Sequence, residues 1–400
     1  MSEEKLVPKL RFSGFTDEWV SYKIGDISKT YSGGTPSTSK REYYEGNIPF
    51  IKSGEIGNEV TEQYINEEAI NNSSAKKVQK GDLLLALYGA TSGEVAISKI
   101  DGAINQAVLK IDNKMNNYFQ YNYFVKYKDQ IIHKYLQGGQ GNLSANIIKK
   151  LEFYYPNLEE QQKISNYLLL IDNKIELLEK KHHEYQNFKK YLMQQIFAQK
   201  LRFKSADGEQ YSDWKERNLY EFLTEHKLKS TGNEEVYSVS VHKGLVNQKE
   251  HLGRDFSAPD TSKYNLVKPG DIVYTKSPTG DFPLGIIKQS RVDKNVIVSP
   301  LYGVFTPETY ALGYILNDYF ESNVNTHNYL HPIVQKGAKN TMNITNKTFL
   351  SKTLFVPTDV NEQQKIAECF SKVNDSIRNI EIQQNKVNEF KKGLLQQMFV

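Results

Sequence analysis

One segment of this chain occurs twice at a fixed spacing, and that repeat limits the possible folds more than any other feature. Glu160-Gln161-Gln162-Lys163-Ile164 returns as Glu362-Gln363-Gln364-Lys365-Ile366. Phe188-Lys189-Lys190-Tyr191-Leu192-Met193-Gln194-Gln195-Ile196-Phe197 returns as Phe390-Lys391-Lys392-Gly393-Leu394-Leu395-Gln396-Gln397-Met398-Phe399. Both pairs are offset by 202 residues in a chain of 400, so a whole segment is duplicated half a chain apart. A leader is repeated too. Lys9-Leu10-Arg11-Phe12 runs on to Trp19, and Lys200-Leu201-Arg202-Phe203 runs on to Trp214.

Each closing segment reads as a long helix. Pro156 and Pro357 end β-like runs, Phe153-Tyr154-Tyr155 and Leu354-Phe355-Val356, and no proline follows in either segment. Apolar residues then fall at Ile164, Leu168, Ile171, Ile175 and Leu178, and again at Ile366, Phe370, Val373, Ile377 and Ile380. The spacing alternates four and three, which is the seam of a coiled coil. A helix of about forty residues is roughly 60 Å long and needs a partner for its apolar stripe. The other copy is the natural one. The second middle region starts near Leu201, after the first helix, and ends near Pro357, before the second. Parallel helices would hold those points ~60 Å apart, but a domain of that size has a radius of gyration of only ~15 Å. Antiparallel pairing is therefore expected, with a domain at each end of the rod and an approximate internal two-fold axis. His182 and Gln384 continue the frame where apolar residues belong. Either the seam frays there or the two form a polar layer that sets register.

The middle regions are rich in turns and short β-type runs. Tyr31-Ser32-Gly33-Gly34-Thr35-Pro36 is a loop by composition. Lys80-Gly81-Asp82 feeds a strand from Leu83 to Tyr88, and Lys268-Pro269-Gly270-Asp271 feeds Ile272-Val273-Tyr274. Tyr118 to Tyr135 and Tyr310 to Asn325 carry aromatics at helical spacing. The expected fold class is α+β, divided at 1–157, 158–200, 201–358 and 359–400: two compact domains, each followed by one long helix.

Catalysis finds no support in the motifs. The chain has no phosphate loop, no His-Glu-x-x-His and no nucleophile elbow. The tandem His182-His183 on a helix points its imidazoles about 100° apart, which is poor for joint metal ligation. The single cysteine, Cys369, rules out an intrachain disulfide and sits in a helical apolar frame, as a packed thiol would. No apolar run approaches a membrane span, and Met1-Ser2-Glu3-Glu4-Lys5 lacks the regions of a signal peptide, so the cytoplasm is the expected compartment.

A net charge of +4 permits nucleic acid without demanding it. Ser32, Gly33, Gly34 and Thr35, followed by Lys40, Arg41 and Tyr43, gather amides, hydroxyls, cations and aromatics in one stretch. Such groups meet phosphates and base edges. Lys52 and Ser53 follow a short strand entering a turn. Gln137, Gln140 and Asn142 lie in a glycine-rich loop, and Lys336, Lys339 and Asn340 lie in the matching place of the second half.

These motifs together resemble the specificity subunit of a type I restriction-modification enzyme over essentially the whole chain. The resemblance rests on Ser-Gly-Gly-Thr-Pro at 32–36 with Gly46-Asn47-Ile48-Pro49-Phe50-Ile51 after it, and on Lys-Gly-Asp at 80–82 with Asn105-Gln106 beyond. Most specific is the duplicated Pro, Glu-Gln-Gln-Lys-Ile and Gln-Gln-Ile/Met-Phe set. It implies two α/β target-recognition domains, each reading one half of a split target in double-stranded DNA, and a helical rod that sets the unread gap. It also implies two methyltransferase subunits docked on the helices, which bind S-adenosylmethionine and methylate adenine, and motor-nuclease subunits for cleavage. The chain itself would hold no cofactor and no catalytic residue. The second half departs from the pattern: it lacks Ser-Gly-Gly-Thr-Pro, and the region Glu225 to Asn233 offers Lys227 and Lys229 instead. Two other readings stay open on the residues alone. One is a coiled-coil adaptor whose end domains bind proteins, and the other is a nucleic-acid-modifying enzyme acting by itself.

Overall fold

The computed structural model describes residues 6–136, 142–252, 260–276, 279–336 and 342–400. Two compact units emerge: Met1–Lys180 with Glu381–Val400, and Lys181–Ile380. The division runs through both long helices, Leu158–Phe197 and Val360–Met398, so each unit owns a piece of each helix.

The first unit opens with β1 (Val20–Lys23), which pairs antiparallel with β10 (Glu152–Tyr155) just before Pro156. Its main sheet is antiparallel, in the order β2 (Ser28–Ser32), β9 (Val108–Asn113), β6 (Leu83–Ala86), β7 (Val95–Ile97). A second sheet runs β4 (Tyr64–Ile65), β3 (Ile48–Ile51), β8 (Gly102–Ile104), β5 (Lys76–Val78), with β3 and β8 parallel. Leu83, Leu85, Leu109 and Ile111 face the helix Asn117–Leu136 in the core that also takes in the long helices, whereas Leu84, Ala86 and Val108 face the second sheet with Ile51 and Ile104. Both faces of the sheet are covered, which is why Leu83–Ala86 is apolar throughout instead of alternating.

The second unit repeats part of this plan. β11 (Lys215–Asn218) pairs with β22 (Thr353–Val356) just before Pro357, and the main sheet runs β12 (Leu223–Glu225), β19 (Gly303–Pro307), β16 (Ile272–Tyr274), β17 (Ile287–Gln289). The Lys-Gly-Asp and Pro-Gly-Asp turns are alike in detail. The Asp82 carboxylate accepts Gln79 N–H at 2.6 Å, and that of Asp271 accepts Lys268 N–H at 2.7 Å. The units part beyond this sheet. In place of the mixed sheet the second has two ladders, β13 (Tyr237–Ser240) with β14 (Gly244–Asn247) and β15 (Asn265–Val267) with β18 (Val296–Val298). The sequence pattern from Tyr310 to Asn325 is not one helix. Tyr310–Glu321 stops at Ser322, whose hydroxyl accepts Asn325 N–H and caps a second helix, Asn323–Leu330.

Within each unit the two long helices pack antiparallel. In the first, Ile164, Leu168 and Ile171 share a core with Leu394, Leu395 and Met398, with Ile175 and Val387 packed against it. In the second, Ile366, Phe370 and Val373 share a core with Leu192 and Ile196, and Ile377 and the half-buried Cys369 pack on it. Leu178 and Ile380 are buried as well. His182 and Gln384 are each half-buried.

The repeated Glu-Gln-Gln-Lys-Ile explains how each domain is fastened to its helix. Glu160 and Glu362 are fully buried. The Arg11 guanidinium grips both Glu160 oxygens at 2.7 Å, and Arg202 grips both of Glu362 at 3.0 and 2.9 Å. Gln161 and Gln363 turn back to donate to the Pro156 and Pro357 carbonyls at 2.8 and 2.9 Å, satisfying groups that the strand and helix both leave over. Each glutamine also accepts from the start of a domain helix: Gln161 from Asn116 N–H and Gln363 from the Thr309 hydroxyl. Lys163 lies over Phe12, and Lys365 over Tyr211. Even the leader bond repeats. Leu10 N–H donates to Gln397 O at 2.9 Å, and Leu201 N–H to Gln195 O at 3.1 Å.

Two positions of the heptad frame carry lysines, Lys189 and Lys391, that the apolar pattern does not announce. Lys391 pairs with Asp172, which also accepts from Tyr118. The equivalent of Asp172 in the second helix is Asn374, which donates to Tyr314 and Asp318. There the negative charge sits on the domain helix instead, where Asp318 and Glu321 receive Lys189, Lys288 and Arg291. Burial pushes the Asp318 carboxyl up and the Lys288 amine down. Partial burial also acts upward on Glu321, but Lys288 and Lys189 outweigh it and bring it down to about 2.

Replacing Arg11 by Met leaves Glu160 buried and unpaired, which costs about 3–5 kcal/mol; calorimetry of the full chain should show the transition of the first unit falling. Arg202→Met should do the same to the second. Glu321 contributes its full stabilisation above its ordinary value of 4.5, and that contribution is lost as the pH falls towards about 2. Glu321→Gln should therefore flatten the loss of stability of the second unit across that interval, followed by thermal unfolding at stepped pH.

Candidate nucleic-acid interface

In the first unit the Ser32-Gly33-Gly34-Thr35 loop leaves the end of β2 and is pressed onto the second sheet. Gly33 N–H donates to Asn105 O at 3.1 Å. A Cβ on Gly33 would stand 1.7 Å from Ile104 O, and one on Gly34 would stand 2.5 Å from the Ser74 side chain. The two glycines thus serve close backbone approach, and the Gly33 amide is spent inside the protein instead of facing a ligand. The Thr35 hydroxyl donates to Gln106 at 2.6 Å, which ties the loop to Asn105-Gln106.

Beyond the loop, the two neighbouring cations differ. Lys40 donates to the hydroxyl of Tyr43 at 2.8 Å and lies over its ring, and Tyr43 is buried. Arg41 is exposed, and its guanidinium makes no hydrogen bond or ion pair among the described residues. Lys52 stands 3.7 Å from Glu62, a loose pairing, and Ser53 lies beside it in a shallow groove. The structure brings Thr35, Arg41 and Lys52 to one cleft of about 350 Å³, joined by Thr38, Tyr44, Phe50, Gln63 and Asn105. Ser32, at the end of β2, does not line that cleft.

The other sequence candidates are not gathered there. Asn142 is exposed, two residues before Ser144, which caps the short helix Ala145–Lys149. Gln137 and Gln140 lie outside the described residues, as do Lys339 and Asn340. Lys336 is in a two-residue strand paired with Met342. In the second unit Lys227 is exposed, while Lys229 is tied down by bonds to Lys263 O and the Asn265 side chain. Near it His226 meets the buried Asp271 at 2.8 Å, and Asp271 also accepts from Thr306. In the first unit the matching carboxylate, Asp82, pairs with Lys110. Sequence reasoning missed Gln63, since only folding brings it to the cleft; Asn105 entered only as part of a motif. Among the described residues no group of three or more His, Cys, Asp or Glu could hold a metal ion, and no helix is long and apolar enough to cross a membrane.

A family model described as the type I restriction modification DNA specificity domain matches residues 16–187. Over these residues the chain is similar to that domain. The match begins after the leader that carries Arg11 and runs into the first long helix as far as residue 187. Curated relatives are named type I specificity subunits. The type I restriction enzyme MjaIX specificity subunit of Methanocaldococcus jannaschii is 29% identical over 55% of this chain and 55% of its own length. The EcoR124I/EcoR124II specificity subunit of Escherichia coli is 27% identical over 41% of this chain and 45% of its own. The chain thus spans about half the length of the curated relatives it matches. Solved structures extend the likeness in fold past residues 16–187. The S subunit of a type I restriction-modification system from M. genitalium aligns over 98% of this chain and 99% of its own, with TM-score 0.64 at 15% identity. A chain from a structure on complex assembly and conformational transition of the type I R-M system aligns over 95% and 97%, with TM-score 0.51 at 13% identity.

Gly33→Ala in the first unit should cost about 1–3 kcal/mol, as overpacking does. Calorimetry should show the first unit weakened and the second unchanged.

Proposed function

We propose that this chain is the DNA-recognition subunit of a type I restriction-modification complex. The observation that carries the reading is the duplicated clamp: two domains, each fastened by a buried Arg–Glu pair to one of two helices that pack antiparallel. Each domain, 1–157 and 201–358, reads one half of a bipartite target in double-stranded DNA. The helical regions, 158–200 and 359–400, hold the two readers apart and set the unread gap. Their outer faces dock two methyltransferase subunits, which supply S-adenosylmethionine chemistry on adenine, and motor-nuclease subunits join for cleavage in the cytoplasm. The chain contributes no catalytic group of its own. Relatives named as specificity subunits support this division of labour, and so does the likeness to a chain from a type I assembly.

Deletion of one heptad from both helices tests the reading. In cells that also express the methyltransferase subunits, methylome sequencing should show a shortened gap between two unchanged half-sites. A gap that stays the same, or methylation by the purified chain alone, would overturn it.

A further inference from the structure

We infer that the cleft of the first unit is a base-reading site in which Gln63 reads an adenine edge in one half of the target. The inference rests on the reading of this chain as a DNA-recognition subunit.

The backbone at Gln63 is held from two sides. Its carbonyl accepts Phe50 N–H at 2.9 Å and the Thr61 hydroxyl at 2.8 Å. The loop leading to it is also fixed, since the Glu55 carboxylate accepts from Lys52 N–H and Glu62 N–H. The Gln63 side chain, by contrast, is exposed, lines the cleft, and has no hydrogen bond among the described residues. A pinned backbone carrying an uncommitted amide suits base reading, because little besides one side chain has to be ordered on binding. A glutamine amide donates to adenine N7 and accepts from adenine N6, the pairing its geometry fits best in the major groove.

The surroundings agree with this role. Asn105 Oδ1 accepts Ala107 N–H at 3.0 Å, which orients the amide and leaves Nδ2 as a second donor in the cleft. The Tyr44 ring meets the buried Phe50 edge to face at 6.5 Å, and its hydroxyl is spent on Pro36 O, so the half-buried Tyr44 ring, backed by Phe50, presents an apolar wall. Such a wall suits the methyl group of the thymine paired with the adenine. Arg41 is uncommitted and Lys52 only loosely held, so both are available for the flanking phosphates.

The test uses the full chain expressed with its methyltransferase partners, and methylome sequencing of wild type, Gln63→Ala and Gln63→Glu. Gln63→Ala should relax one A·T position in one half-site by roughly 5- to 150-fold, the range expected for losing a bidentate base contact. Gln63→Glu should move the preference at that position towards cytosine, whose N4 amino group a carboxylate accepts. The gap and the other half-site should stay as in wild type. Where methylation by a variant is too weak to map, the purified complex is titrated with duplexes carrying single base-pair replacements, and the same loss of discrimination is expected. Wild-type discrimination in both variants, relaxation at a G·C position, or uniform weakening at every position would overturn the inference. A wild-type chain that directs no bipartite methylation would instead overturn the functional reading beneath it.

Discussion

Two carboxylates with no access to solvent, Glu160 and Glu362, hold the architecture together. Each is placed in the first turn of a long helix by the strand and proline before it, and each would be costly to bury without its arginine. Because the arginines belong to the leaders, the start of a domain, its last strand and its helix are locked at one point. Trp214 adds a third donor to Glu362 at 3.1 Å, whereas Trp19 packs on the rings of Phe119 and Phe399. The same joint is therefore built with slightly different parts in the two units.

The helix seam shows the same divergence under a shared plan. Ile164, Leu168 and Ile171 in one unit correspond to Ile366, Phe370 and Val373 in the other, and all are buried. The frame also admits Lys189 and Lys391. Their ammonium groups leave the seam for carboxylates at its edge, one on the neighbouring helix and one pair on the domain helix. Long stems let a lysine cover apolar surface while its charge finds a partner. That is why the pattern of apolar residues alone underestimates what the seam contains.

Much of the fold was legible because it is written in periodic or repeated residues. The 202-residue offset and the four-three spacing point to paired helices, and the direct connections at Leu201 and Pro357 make the pairing antiparallel. The shared turn before Leu83 and Ile272 marks the common sheet, and the dissimilar runs elsewhere mark the region where one unit has a mixed sheet and the other has two separate ladders. The candidate site was only half legible. Composition singled out the Gly-Gly loop and Lys40-Arg41 but could not tell that Gly33 spends its amide on Asn105, that Lys40 is bound to Tyr43, or that Arg41 is uncommitted.

The sequence by itself determined the duplication, the helices and their sense of pairing, because a local period and a chain-connectivity limit leave little choice. Only the tertiary structure decided which groups remain for a ligand. Gln63 and Asn105 stand 42 residues apart and come to one cleft through the pairing of β3 with β4 and with β8. Hydrogen-bond satisfaction is a property of neighbours in space, so no reading along the chain could separate the spent polar groups from the free ones.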